Sequence, residues 1–273
     1  MGQYLKFFAV LAVIYAIFAG AFAVFRHEFI YLFVDVGAPP ADMPRTEVKY
    51  IPQTFDAPRL EVWITEPLPG KPVILYFMGG SGALSVHEPR LREFASRGFG
   101  LAAMAYRGGG GQAGRPTEAG LNQDAARLYA ALDTLFGREI PPSDRVIYGY
   151  ALGSALAVRL AADEDEMALV LEAPFGSMCE MMQKVVVILP ACRLMWDERY
   201  NSKELIDQVD TTVLFLHGGK DTIIPLEMGA ALYNAAVEPK FTKIYRQGGH
   251  IDLARFGATE DISQFINTLR GGT

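Results

Sequence analysis

Only two cysteines occur, Cys179 and Cys192. Their spacing fits neither a zinc ribbon nor a redox C-x-x-C pair, which argues against a cysteine-built metal site. Two free core thiols are the expected state, with a single disulfide as the alternative. Long basic runs are also missing, and 25 basic against 31 acidic residues leave a net charge of −6, so the electrostatic footprint of a nucleic-acid binder is absent. No internal repeat is evident. Hydrophobic residues make up 51% of the chain and charged ones 21%, a balance that excludes disorder and permits one large α/β domain.

Residues 7–25 form an uncharged apolar run followed at once by Arg26, His27 and Glu28. A helix of that length crosses a bilayer about 30 Å thick. The reading is a membrane anchor over residues 1–28, with a cleaved signal peptide as the competitor because Ala21, Phe22 and Ala23 make an A-x-A pattern. The run exceeds the usual signal core, which favours the anchor. Lys6 on one side and Arg26 on the other nearly balance the positive-inside bias, with a slight lean towards an extracytoplasmic domain. A linker over 29–45 follows, holding the apolar patch 29–34 and three prolines between 37 and 44. That patch either guides an apolar substrate from the membrane or packs on the domain.

From residue 46 onward, short apolar runs recur at 61–65, 73–77, 100–106, 145–150, 169–173, 213–216 and 243–245. Helical stretches at 118–136, 152–162 and 225–237 lie between them, the last opening on Pro225. Alternating strands and helices predict a mostly parallel sheet covered on both faces. Residues 175–205, with Met178, Met181 and Met182, break the alternation and read as a cap inserted over the site.

The run Gly149, Tyr150, Ala151, Leu152, Gly153 has the outline of a G-x-S-x-G nucleophile elbow with alanine at its centre. Acyl transfer by a serine requires a base, an acid that orients the base, and donors for the oxyanion. Asp221 follows the run ending in His217 and Gly218, and His250 follows Gly248 and Gly249 after the next strand. Both therefore fall at carboxyl ends of strands, where α/β sheets carry their chemistry. Glu172 is a rival acid. His217 reads as structural, and His27 and His87 have no partners in the sequence. Backbone N–H groups of Gly80 and Leu152 are the candidate oxyanion donors. The glycines at 108–111 lack the Gly-Lys-Ser/Thr ending of a phosphate loop and read as a turn.

These blocks, together with Leu75 to Gly80, Tyr106 to Gly108, Gly114 to Pro116, Leu171 to Phe175, and His217, Gly218, Asp221 and Pro225, resemble the α/β-hydrolase superfamily nearly end to end, and specifically its membrane-anchored serine hydrolases. The resemblance implies an α/β-hydrolase domain over 46–273, with Ala151 at the serine position, Asp221 as acid and His250 as base. It further implies cleavage of an ester or thioester; the methionines and apolar residues of 175–205 point to a small acyl, lipid-like substrate, and no metal or organic cofactor is needed. Two positions depart from the pattern: Met78, where a histidine is usual, and Ala151. Alanine at the elbow has two origins, an engineered inactive variant or a natural pseudoenzyme that binds a lipid or protein. The retained Asp221 and His250 favour the first.

Overall fold

A computed structural model describes residues 2–37, 40 and 43–271. The linker's Pro39 lies outside them. Among the described residues eight strands form one sheet: β1 (Thr46–Ile51), β2 (Leu60–Thr65), β3 (Val73–Phe77), β4 (Gly100–Met104), β5 (Arg145–Tyr150), β6 (Ala168–Glu172), β7 (Thr212–Gly218) and β8 (Lys240–Tyr245). Their spatial order is β1-β2-β4-β3-β5-β6-β7-β8, with β2 antiparallel to β1 and β4 and every later pairing parallel. Strands β3, β4 and β6 are buried along their whole length, as expected of parallel strands covered on both faces.

The helices are α1 (Gly2–Ile30), α2 (Leu84–Ser96), α3 (Glu118–Phe136), α4 (Leu152–Asp163), α5 (Met178–Val185), α6 (Ala191–Leu194), α7 (Leu226–Ala235) and α8 (Ala258–Gly271). Thr117 caps α3 by accepting the Gly120 N–H at 3.0 Å, and Gly137 closes the helix in the left-handed region. Pro225 precedes α7 in an extended conformation and stands outside its first turn. Strand β1 and helices α2 and α8 add to the elements expected from the sequence. Helix α1 is 29 residues long, apolar enough to cross a membrane, and mostly exposed.

The chain reverses its direction of travel across the sheet at β3, which lies between β4 and β5. Loops leaving the carboxyl ends of β3 and β5 therefore diverge and open a crevice, the usual place for ligands in such sheets. Register fixes what meets there. Phe77 pairs with Gly149, Tyr150 with Glu172, Glu172 with Leu216, and Gly218 with Tyr245. The segments starting at Met78, Ala151, Ala173, Gly219 and Arg246 consequently leave one sheet edge together.

Residues 175–205 carry α5, α6 and a short 3-10 turn. A disulfide joins Cys179 to Cys192, which corrects the expectation of two free thiols. The pair lies thirteen positions apart, too far for a recognised spacing motif, and the return of α6 against α5 brings the sulfurs together. The glycine turn does not stand alone either. Gly110 N–H donates to Val34 O at 3.0 Å, tying the chain that follows α1 to the loop after β4.

Candidate active site

The elbow forms at Ala151. Its φ of 50° and ψ of −115° lie in a region that side chains rarely occupy, and α4 begins at the next residue. Two glycines permit the turn. A Cβ on Gly153 would stand 2.1 Å from Phe77 O, and one on Gly149 would stand 2.4 Å from Gly153 O. Ala151 N–H donates to Glu172 O at 2.9 Å, and Ser154 Oγ donates back to Ala151 O at 2.6 Å, so the strained residue is held from both sides.

His250 Nδ1 and Asp221 Oδ2 are 2.7 Å apart. The other Asp221 oxygen accepts N–H groups of Ile223 and Ile224 at 2.9 and 2.8 Å. Burial alone would raise the Asp221 carboxyl. The His250 bond and charge, with those two N–H groups, outweigh it and hold the carboxyl below its ordinary range. The two loops approach closely only because residue 218 has no side chain, since a Cβ there would sit 2.3 Å from Gly249 O. With Nδ1 facing Asp221, the imidazole has Nε2 free for a second partner.

Gly79 and Gly80 follow β3, and a Cβ on Gly79 would lie 3.4 Å from the Ala151 Cβ, so this loop runs directly beside the elbow. The space beside Gly80 is open. Met78 O accepts from Tyr106 Oη at 2.7 Å, an anchor that needs no histidine at position 78. Leu152 is the first residue of α4, where backbone N–H groups have no partner within the helix.

Glu172 belongs to a different network. It is buried, with one oxygen 2.9 Å from Arg90 Nη2 and the other accepting from Arg90 and Tyr148. Arg90 also lies over the Tyr150 ring at 4.4 Å. His217 Nε2 donates to Ile224 O, 2.8 Å away, and so braces the Asp221 loop. His87 bridges Tyr76 Oη and Ser81 Oγ at 3.0 and 2.9 Å; burial, with the nearby Arg90 charge, pushes its pKa down to about 3.

Sequence reasoning missed Tyr150, whose hydroxyl donates to His250 O at 3.1 Å and whose ring lies 5.4 Å from the imidazole. Its place inside the elbow was the available signal. It also missed the partners of His27. The end of α1 meets residues 197–200: Arg26 Nε lies 2.8 Å from Asp197 Oδ1, and His27 Nδ1 lies 3.4 Å from Glu198 Oε1. Tyr31 Oη donates to Glu198 and lies 2.6 Å from Tyr200 Oη. His27, Asp197 and Glu198 also bring three ligand atoms within 4.8 Å of one another. Asp197 is already paired with Arg26, whose positive charge disfavours a cation there.

A cavity of about 380 Å³ beside the loop after β3 is lined by Val36, Val48, Trp63, Ala83, Leu84 and Gln112 among others, and by none of Ala151, Asp221 or His250. The bonded pair under the elbow identifies the site better than this cavity.

Comparison with known proteins agrees with this fold. Residues 137–251, which contain Ala151, Asp221 and His250, match the family model "Serine hydrolase (FSH1)". An uncharacterized protein of Mycobacterium tuberculosis is 36% identical over 203 residues, covering 73% of this chain and 71% of that one. A Danio rerio protein named lysophosphatidylserine lipase ABHD12 is 31% identical over 188 residues, 62% of this chain and 48% of that protein. The solved Pyrococcus furiosus esterase Pf2001 superposes with a TM-score of 0.69 at 15% identity, over 87% of this chain and 96% of that one. The elbow, the sheet order and these relatives together identify the chain as a member of the α/β-hydrolase superfamily.

Proposed function

We propose that this is the scaffold of a membrane-anchored serine hydrolase that cleaves acyl esters or thioesters of apolar, lipid-like substrates, inactivated here by alanine at position 151. The observation that carries the reading is the hydrogen bond between His250 and Asp221, retained beside a strained elbow that has no nucleophile. With serine at 151, His250 takes the hydroxyl proton as Oγ bonds to the acyl carbon. Gly80 and Leu152 N–H groups receive the oxyanion. The imidazolium returns its proton to the departing alcohol or thiol, and water then releases the acid by the same two proton transfers.

An apolar substrate is favoured by the anchor-like helix α1 and by the relative named as a lysophosphatidylserine lipase. Burial of Phe22 supports retention of α1, because cleavage after Ala23 would remove a side chain from the core. A bridged Cys179–Cys192 pair favours an extracytoplasmic domain, since disulfides persist in oxidising compartments. Residues 175–205 are read as the cap. A second reading rests on Ala151 itself: if the parent sequence carries alanine there, the chain is a lipid- or protein-binding module.

Turnover of p-nitrophenyl and thioester acyl substrates by Ala151→Ser tests the proposal. Activity is expected, and adding Asp221→Asn should lower kcat by about 10⁴-fold, the effect of losing the acid that orients a catalytic histidine. Unchanged turnover with Asp221→Asn would contradict the assignment of the acid.

A further inference from the structure

We infer that an apolar lip beside the His250–Asp221 pair, formed by Val185, Val187 and Ile188 with Ile223 and Ile251, sits at the headgroup–acyl boundary of a lipid bilayer. The inference rests on the proposed anchoring of α1 and is independent of the proposed chemistry. Ile188 is 76% exposed and Ile251 78% exposed, and the other three are also exposed. Single exposed aliphatic residues need no explanation, whereas a group of them gathered beside the His250–Asp221 pair does.

Two contacts hold the group together. Ile251 follows His250, which is bonded to Asp221, two residues before Ile223. Lys184, adjacent to Val185, reaches Glu227 at the start of α7 at 3.4 Å, so the end of α5 lies next to the loop that carries Ile223. Val187 and Ile188 continue from that end towards α6.

Helix α1 supplies the depth. It packs on α6, and Phe22, inside the apolar run, is only 4% exposed. Phe22 precedes Arg26 by four residues, or about 6 Å along a helix, so the protein that covers it reaches slightly below the first charge of the span. Arg26 is fastened to Asp197 through two nitrogens and lies 4.3 Å from the centre of the Trp196 ring. Trp196 is itself exposed. An exposed tryptophan beside an arginine at the end of a span is the arrangement found at membrane interfaces. The segment bearing the lip is therefore fixed at the level where the span leaves the bilayer, and acyl chains, being apolar, are what the lip meets there.

Nitroxide labels at Phe8→Cys, Ile188→Cys, Ile251→Cys and Glu139→Cys, introduced singly into the full chain in phosphatidylcholine nanodiscs, test this. The native cysteines are bridged and stay unlabelled without reductant. Residue 139 precedes β5 at the opposite sheet edge and should collide with an aqueous nickel chelate more than with oxygen. Residues 8, 188 and 251 should show the reverse. Oxygen preference at 8 with nickel preference at 188 and 251 overturns the inference and leaves the anchor standing. Nickel preference at 8 overturns both. Shielding of 188 and 251 from both reagents means a second copy covers the lip, and also overturns it. The unsubstituted chain gives an independent reading: lipids brominated near the headgroup should quench Trp196, while Trp63, buried in β2, supplies the unquenched remainder. Absence of quenching counts against the inference even if a labelled variant misfolds.

Discussion

Alanine at 151 sits in a backbone conformation that only glycine adopts without strain. Side chains held in such regions cost about 1–3 kcal/mol, and the surrounding contacts must over-determine them. Those contacts are visible: the Ala151 N–H bond to Glu172 O, the two returns from Ser154 to Ala151 O, and the glycines on either side. Ala151→Gly should therefore raise stability by about 1 kcal/mol, with part of the relieved strain offset by the greater entropy of glycine in the unfolded chain. Thermal unfolding checks it, and a lower midpoint would mean that the conformation carries no strain. The same residue shows how far a sequence can be read at this scale. The elbow, Asp221 and His250 were legible because their spacing after apolar runs is local. Glu172, a plausible acid by position, turns away to Arg90 on α2, a partner 82 positions earlier whose burial no periodicity announces.

Among the elements, the contact between α1 and residues 197–200 carries a pH dependence. Burial pushes the Glu198 carboxyl up to about 7, outweighing the bonds from Tyr31 and the Glu118 N–H that favour its ionised form. The groups facing it are Tyr31, His27, Tyr200, Glu118 and Asp197. Between the unfolded value of 4.5 and about 7, the folded state holds a proton that the unfolded state releases. The stabilisation from that proton is complete below 4.5 and is lost as pH rises through about 7. Glu198→Gln keeps a neutral side chain at every pH, so its melting temperature relative to the parent should rise from pH 5 to pH 8. A constant difference across that range would remove Glu198 as the source. This contact was invisible in sequence because its members lie far apart, 171 positions in the Arg26–Asp197 pair. Strand β1 and helix α2 were missed for another reason. The strand is a half-exposed sheet edge, and the helix contains Pro89 and buries Arg90, so neither shows a clean apolar period.

For the whole molecule, the parallel sheet and its direction change at β3 were legible in kind, because buried parallel strands read as continuous apolar runs. How helix α1, the bridged segment and the candidate site are arranged depends on packing between distant parts of the chain, and only the fold supplies it. On the proposed reading, the arrangement is a hydrolase site lacking one oxygen atom, the hydroxyl of a serine at 151. The decisive experiment restores that atom. Full-length Ala151→Ser, treated with a fluorophosphonate and digested for mass spectrometry, should carry the phosphonate on the peptide that spans residue 151, while the alanine parent stays unmodified. Adding His250→Ala should abolish the adduct, because the hydroxyl then has no base. A correctly folded Ala151→Ser chain that reacts no more than its parent would contradict the assignment of this site.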